Sequence, residues 1–280
     1  MSSAVVERFA PSPTGLLHLG HAFSALTAFD AAPSGRFLLR IEDIDTARSK
    51  PAFEAAIYED LAWLGLTWET PVMRQSERAA AYAEALAKLT ALGVTYPCTC
   101  TRADIRSALS APQEGAMGPD GPVYPGICRD KNRSAKGAAV RLNMRKAVAL
   151  TGPVSVTEVD GTTHTTTSET LTHEIGDIIL ARKDIGTSYH LSVVVDDAAQ
   201  GITHVTRGED LRPATPIHRI LQTLLGHPAP LYRHHRLIRD DTGKRLAKRD
   251  DARAIRRYRD DGLSPADLRA KLSLPPAPGG

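Results

Sequence analysis

The opening of the chain changes its hydrophobic period twice, and few folds accommodate that. An apolar stretch, Ala4–Phe9, holds one embedded charged pair, Glu7-Arg8, and runs into Ala10-Pro-Ser-Pro-Thr-Gly15. Two prolines and a glycine break the strand and turn the chain. From Gly20 to Ala32 the large apolar residues Phe23, Leu26 and Phe29 recur at every third position, which is one face of a helix, and Pro33-Ser-Gly35 stops it. Arg36–Ile41 reads as a second strand. Strand, helix and strand within about 40 residues form a βαβ unit, so the sheet is expected to be parallel, with ligands beyond the strand C-termini. Arg8, His18, His21 and the acidic run Glu42-Asp-Ile-Asp45 all fall at that edge.

His18 and His21, three apart, place both imidazoles on one face of a helix N-terminus, where unpaired backbone N–H groups and the positive end of the dipole favour a phosphate. Gly20 between them lets a nucleotide ring approach the backbone. A lone H-x-x-H reads more often as two solvated surface histidines. Here it sits at the start of a helix in a βαβ unit, which makes it a nucleotide-phosphate site.

The segment Arg8-Phe-Ala-Pro-Ser-Pro-Thr-Gly-Leu-Leu-His-Leu-Gly-His21 resembles the first signature of the class I aminoacyl-tRNA synthetases, in their glutamyl branch. Leu39–Arg48, Asp60-Leu-Ala-Trp-Leu-Gly65, Gln75-Ser76 and Val205-Thr-Arg-Gly-Glu-Asp-Leu211 resemble the same branch in the same order. The resemblance implies an α/β fold: a Rossmann-like parallel-sheet catalytic domain with an inserted, zinc-containing, acceptor-binding-like α+β domain. It also implies an amino-acid pocket built from the run Arg8, Phe9, Ala10, Pro11 and Ser12 with Glu42, Tyr189 and Arg207. A glutamate ligand suits these residue types. Arg8 and Arg207 offer forked donors to the side-chain carboxylate, and Glu42 a carboxylate to the ammonium. Arginine forks select an acid over its amide, because glutamine cannot neutralise them once desolvated.

With 280 residues, 42% hydrophobic and 24% charged, the chain has the composition of an ordinary globular protein, large enough for one sizeable domain or two modest ones. Its net charge of +3 is compatible with a polyanionic partner without requiring one. No basic region followed by an apolar run opens the chain and no stretch approaches a membrane span, so a cytoplasmic protein without a membrane partner is expected. The expected domains are residues 1–95 as the first half of the catalytic sheet and 96–182 as the insertion. Residues 183–235 form the second half, and 236–280 a basic loop and short tail.

Three cysteines, Cys98, Cys100 and Cys128, argue against a disulfide framework. From spacing alone they are equally three ligands of a tetrahedral metal with one position open, or three thiols that bind nothing. The resemblance supplies a fourth ligand, because short relatives of glutamyl synthetase hold a structural zinc with a C-x-C pair and a Y-x-x-x-C pair. Tyr124 and Cys128 match the second pair. Within the insertion, Ala111–Gly126 is too rich in Gly and Pro for regular structure, Ala138–Met144 and Asp177–Arg182 read as strands, and Val154–Thr172 as exposed strand or loop.

Beyond it, Tyr189–Val195 reads as a β-branched strand ending in Asp196-Asp197, and Ile202–Arg207 as another, both pointing at the ligand edge. Thr215–Gly226 reads as a helix with a cap, a proline in its first turn and a glycine stop. After a turn at Asp240-Asp-Thr-Gly243 comes the basic run Lys244–Arg249. In the resemblance it is the mobile second signature of the class, with Arg245 in place of the first lysine and Ala247 in place of the serine. Lys248 keeps the ammonium that would neutralise the ATP phosphates.

The implied reaction is ATP- and magnesium-dependent activation of L-glutamate, with His18, His21 and Lys248 as catalytic and ATP-binding groups. Only about 30 residues follow Lys248, too few for an anticodon-binding domain of about 100 residues or more. The chain therefore resembles the short branch that acts, as a monomer, on queuosine in the anticodon loop of tRNA(Asp). The alternatives are a truncated synthetase charging tRNA(Glu) and a non-catalytic RNA-binding relative.

Overall fold

The structure, a computed structural model, describes residues 4–109, 117–131, 133–238 and 254–277. It divides into two compact units. One comprises Met1–Glu77, Gly201–Asp210 and Pro230–Gly280; the other comprises Arg78–Gln200 and Leu211–Ala229.

The first unit opens as its sequence predicts. Strand β1 (Val6–Phe9) is followed by helix α1 (Leu19–Asp30) and by β2 (Arg36–Ile41), which pairs parallel to β1 from Val6↔Arg36 to Phe9↔Leu39. Helix α2 (Pro51–Trp63) then leads to β3 (Met73–Arg74), parallel to β2 at Arg40↔Met73. The apolar face of α1, with Ala22, Phe23, Ala25 and Leu26, is buried against Phe9, Leu39 and Ile41 of the sheet and Ile57 and Leu61 of α2. Gly35 is required where the chain enters β2, because a Cβ there would collide with the Val5 carbonyl.

The second unit begins with α3 (Ala79–Ala91) and β4 (Thr95–Cys98), followed by α4 (Arg102–Leu109). A two-residue ribbon of β5 (Met117–Gly118) and β6 (Gly121–Pro122) lies inside the stretch expected to be irregular, its strands joined by Pro119-Asp120. Strand β7 (Ala139–Leu142) pairs antiparallel with β4, and Asn143 caps α5 (Met144–Thr151) by accepting from the Lys146 N–H at 3.1 Å. Then β8 (Val154–Thr157) and β9 (Thr163–Thr166) form a hairpin, laced on its exposed face by Ser155–Thr165 and Thr157–Thr163 hydroxyl contacts. The other face of β8 buries Val154 and Val156, so this segment is half core rather than exposed loop. After the single turn α6 (Ser168–Thr170), β10 (Ile179–Ala181) completes a three-stranded antiparallel sheet of order β10-β7-β4.

The β-branched run Tyr189–Val195 is helical, not a strand: α7 spans Tyr189–Ala199. Ser188, in extended geometry, caps it by accepting from the Leu191 N–H at 3.4 Å. Its middle is buried on every face, from His190 through Asp197, against α3 and against α8 (Thr215–Leu225). Full burial removes the alternation that separates helix from strand. Three valines cost an isolated helix roughly 0.5 kcal/mol each, whereas burying each contributes about 1.5–3 kcal/mol, so packing overrides propensity. Asp196 consequently does not end a strand at the ligand edge. It lies within the helix, bound to Arg78 at 2.6 Å and the Tyr82 hydroxyl at 2.8 Å. α8 stops at Gly226 in the left-handed region as expected, but it has no side-chain cap: Thr215 is its first residue and donates its hydroxyl to the Leu211 carbonyl.

The chain rejoins the first unit at β11 (His204–Gly208), which pairs parallel with β12 (Leu231–His235). β11 lies beside β1, where the Thr203 N–H donates to the Val6 carbonyl at 3.1 Å. The strand order is therefore 3-2-1-11-12, reversing direction between β1 and β11. In an open parallel sheet the crevice at that reversal, beyond the strand C-termini, is where ligands bind. Short helices α9 (Ile255–Asp260) and α10 (Pro265–Lys271) close the same core through Ile255 and Leu268.

Candidate active site

Arg8 and Arg207 are the penultimate residues of β1 and β11, the two strands that flank the reversal. Each is 5% exposed, so their charges lie inside the sheet edge rather than on the surface. Arg8 donates to the Thr206 carbonyl at 3.4 Å. Arg207 lies over the Tyr232 ring at 5.2 Å and donates to His234 Nε2 at 3.4 Å, both partners coming from β12. Tyr232 and His234 stack with ring centroids 5.8 Å apart and back the guanidinium like a wall. Neither residue was singled out from the sequence. Their spacing of two within Leu231–His235 is the strand signal that could have found them.

The loop 10–15 is pinned at the same edge, with the Pro11 carbonyl accepting from the Glu42 N–H and the Pro13 carbonyl from the Lys50 N–H, each at 3.0 Å. Ala10, Pro11 and Ser12 thus pass directly over the end of β2, while the Phe9 ring belongs to the core beneath α1. Glu42 follows β2 and accepts from the wholly buried Arg40 at 3.4 Å. Asp43 is engaged by the N–H and hydroxyl of Ser76 at 2.8 and 2.6 Å.

His18 is the N-cap of α1 and His21 its third residue. His18 Nδ1 accepts from the Gly20 N–H and His21 Nδ1 from the His18 N–H, both at 3.1 Å, with the rings 3.8 Å apart. Accepting at Nδ1 puts the proton of each neutral ring on Nε2, the tautomer that offers an N–H donor to a phosphate oxygen. A Cβ at Gly20 would stand 3.0 Å from the His18 ring, a contact tight enough that the capping ring would have to give by a few tenths of an ångström. Tyr189, in the second unit, is in the first turn of α7 with its ring edge-on to His190 and His218. Lys248, with Arg245 and the rest of the basic run, lies outside the described residues.

The second unit brings Cys98, Cys100, Tyr124 and Cys128 together. The three Sγ atoms lie within 4.8 Å of one another. Tyr124 Oη is 3.4 Å from Cys98 Sγ and 3.3 Å from Cys100 Sγ, and the Cys100–Cys128 pair is at 3.4 Å. A tetrahedral ion with bonds of about 2.3 Å to sulfur needs ligand separations of about 3.8 Å, so these donors fit such an ion with small adjustments. Burial pushes the Cys100 thiol up to about 11, aided by its neighbouring thiols. Burial acts the same way on Cys128, but hydrogen bonds from the Thr99 backbone and Tyr124 outweigh it and bring that thiol down to about 6. Burial and the adjacent sulfurs hold the Tyr124 phenol well above its usual range. The Arg141 guanidinium, 3.8 Å from the Tyr124 ring centroid, is placed to favour the phenolate that a cation would require.

A parallel sheet with its reversal between β1 and β11, a histidine-capped helix at that edge and buried arginines on both sides of it define the catalytic domain of a class I aminoacyl-tRNA synthetase, a ligase. The family described as tRNA synthetases class I (E and Q), catalytic domain, matches residues 4–275. The glutamate-tRNA synthetase of Elizabethkingia anophelis superposes with a TM-score of 0.72 and 27% identity, over 93% of this chain and 54% of that one. The chain thus spans about half the length of that synthetase. A protein of Rhodobacter capsulatus named glutamyl-Q tRNA(Asp) synthetase is 58% identical over 96% of this chain and 100% of its own length. One of the same name from Nocardia farcinica is 41% identical over 97% and 86%. The chain belongs to the glutamyl-Q tRNA(Asp) synthetase family within the class I tRNA synthetases. Among its described residues no helix is long and apolar enough to cross a membrane.

Proposed function

We propose that this ligase activates L-glutamate with ATP and transfers it onto the queuosine base in the anticodon loop of tRNA(Asp). The observation that carries this reading is the full-length similarity to relatives bearing that name, joined to two buried arginines at the reversal of the sheet. Arg8 and Arg207 hold the side-chain carboxylate of the substrate. Glu42 holds its ammonium, and the end of β1 at Phe9 with the loop through Ala10, Pro11 and Ser12 shapes the pocket beside it; the resemblance adds Tyr189 to the glutamate-binding residues. An α-carboxylate oxygen attacks the α-phosphorus of ATP, forming the acyl–phosphate bond while the bond to pyrophosphate breaks. His18 and His21 donate from Nε2 to the phosphate oxygens as charge shifts onto the leaving group, and Lys248 neutralises the same charge from the basic loop. ATP enters as its magnesium complex, whose cation supplies further neutralisation. An acceptor hydroxyl of the nucleoside then attacks the acyl carbon and AMP leaves.

The acceptor-binding-like insertion of residues 96–182 lies within the second compact unit, which also takes in residues 78–95, 183–200 and 211–229 of the stretches 1–95 and 183–235 assigned from sequence to the catalytic halves; the loop and tail of 236–280 belong to the first unit. Cys98, Cys100, Tyr124 and Cys128 hold a structural zinc, whose four ligands leave it no open position for chemistry. The protein works as a cytoplasmic monomer. The test is transfer of labelled glutamate to tRNA(Asp) with and without queuosine, beside tRNA(Glu). Label confined to queuosine-bearing tRNA(Asp) supports the reading, and label on tRNA(Glu) overturns it.

A further inference from the structure

Glu7 is wholly buried in β1, and the chemistry described above does not use it. Its carboxylate accepts from the Thr206 hydroxyl at 2.7 Å and from the Thr206 N–H at 3.2 Å. On the other side of the same residue, the Thr206 carbonyl accepts from Arg8. Thr206 is therefore held by its N–H, hydroxyl and carbonyl through two consecutive residues of β1. Side chains alternate along a strand, so Glu7 and Thr206 meet on one face of the sheet while Arg8 and Arg207 leave on the other.

Between β1 and β11, side chains replace part of the usual backbone ladder. Thr203 Oγ1 accepts from the Val6 N–H at 2.8 Å, and Glu7 supplies the acceptors for Thr206. A plain strand contact needs no ionisable group here. An ionised carboxylate buried in this way costs several kcal/mol of desolvation unless well placed donors repay it. Burial raises the pKa of Glu7, while Thr206, Arg8 and Arg233 act against that rise.

We propose that Glu7 is a positioning residue for glutamate specificity: through Thr206 it fixes the separation of the Arg8 and Arg207 guanidinium groups, and so the size and charge of the carboxylate they accept. This rests on the reading that Arg8 and Arg207 receive the substrate side chain. Two forks on adjacent parallel strands, about 4.8 Å apart, suit one carboxylate shared between them, and slippage of β11 by a fraction of that distance breaks the shared geometry. Glu7 touches no substrate. Its effect belongs in substrate binding rather than in phosphoryl chemistry.

The experiment is glutamate-dependent ATP–pyrophosphate exchange in the full chain with Glu7→Gln, Thr206→Val and Thr206→Ser. In Glu7→Gln the amide oxygen can accept only one of the two Thr206 protons and the negative charge beside Arg8 is lost, and in Thr206→Val the hydroxyl donor is gone at nearly constant volume. Both are expected to raise KM for glutamate at least tenfold, with KM for ATP and kcat within about threefold. Thr206→Ser, which keeps the hydroxyl, is expected to stay near wild type. An unchanged glutamate KM in the first two variants, or an equal rise in the KM for ATP, overturns the inference while leaving the proposed function in place. Wild-type protein without glutamate-dependent exchange overturns both.

Discussion

Replacing Asp177 with alanine is expected to loosen the metal-site region from behind. The Asp177 side chain is fully buried and accepts from the Tyr96 hydroxyl, from Arg129 Nε at 2.7 Å and from the Met144 N–H at 2.8 Å. Tyr96 precedes Cys98 on β4, Arg129 directly follows Cys128, and Met144 opens α5, so one carboxylate ties both halves of the cysteine cluster to the antiparallel sheet. Alanine leaves three donors without their acceptor, one of them a guanidinium that is largely buried. Breaking one side of a buried ion pair costs about 3–5 kcal/mol, and the stranded neutral donors add to it less than additively. A loss of about 4 kcal/mol corresponds to a fall in Tm of about 8–16 °C for a unit of this size. Thermal unfolding followed by circular dichroism reads this directly, and metal content by mass spectrometry should fall in parallel. Asp177→Asn, which retains one acceptor, should lose roughly half as much. A Tm within about 3 °C of wild type in Asp177→Ala would show that these hydrogen bonds do not hold the cluster.

Three further outcomes are expected. Asp60 is buried in α2, and desolvation raises its pKa to about 6, above the ordinary aspartate range, so the folded chain binds the extra proton between that range and about 6. Stability should therefore fall as pH rises from about 4 to about 6, and Asp60→Asn should flatten that slope in denaturant titrations at several pH values. His21→Ala should lower ATP–pyrophosphate exchange by about 10²–10³-fold if its Nε2–H stabilises the transition state. The lost capping contact should take only about 1 kcal/mol from stability, and exchange at the wild-type rate would remove His21 from the mechanism. Cys100→Ser should lower bound zinc and Tm together, and unchanged metal content would refute the four-ligand site.

The βαβ opening was legible in the sequence because each piece carries its own local signal: an apolar strand, a three-residue apolar recurrence and a Pro-Ser-Gly stop. β1, α1 and β2 formed where those signals fell, and parallel pairing followed from the length of the connection. The positions of Arg8, His18, His21, Glu42 and Arg207 at one edge were legible for the same reason, since parallel strands put their C-termini together. The helix at Tyr189–Ala199 was not, because periodicity distinguishes helix from strand only where one face meets water. Burial on every side erased that contrast, and the capping hydroxyl of Ser188 was a weaker cue than three valines.

Local patterns along the chain determined the class of fold, the histidine cap and the types of residue gathered at the ligand edge. Tertiary structure alone decided which distant residues support them. Tyr232 and His234 back Arg207, Glu7 grips Thr206 across 199 positions, and Asp177 reaches Tyr96 across 81. The reason is physical: a periodic pattern records which way a side chain faces, whereas its partner across a sheet or core depends on strand order and register, which no local stretch of sequence encodes.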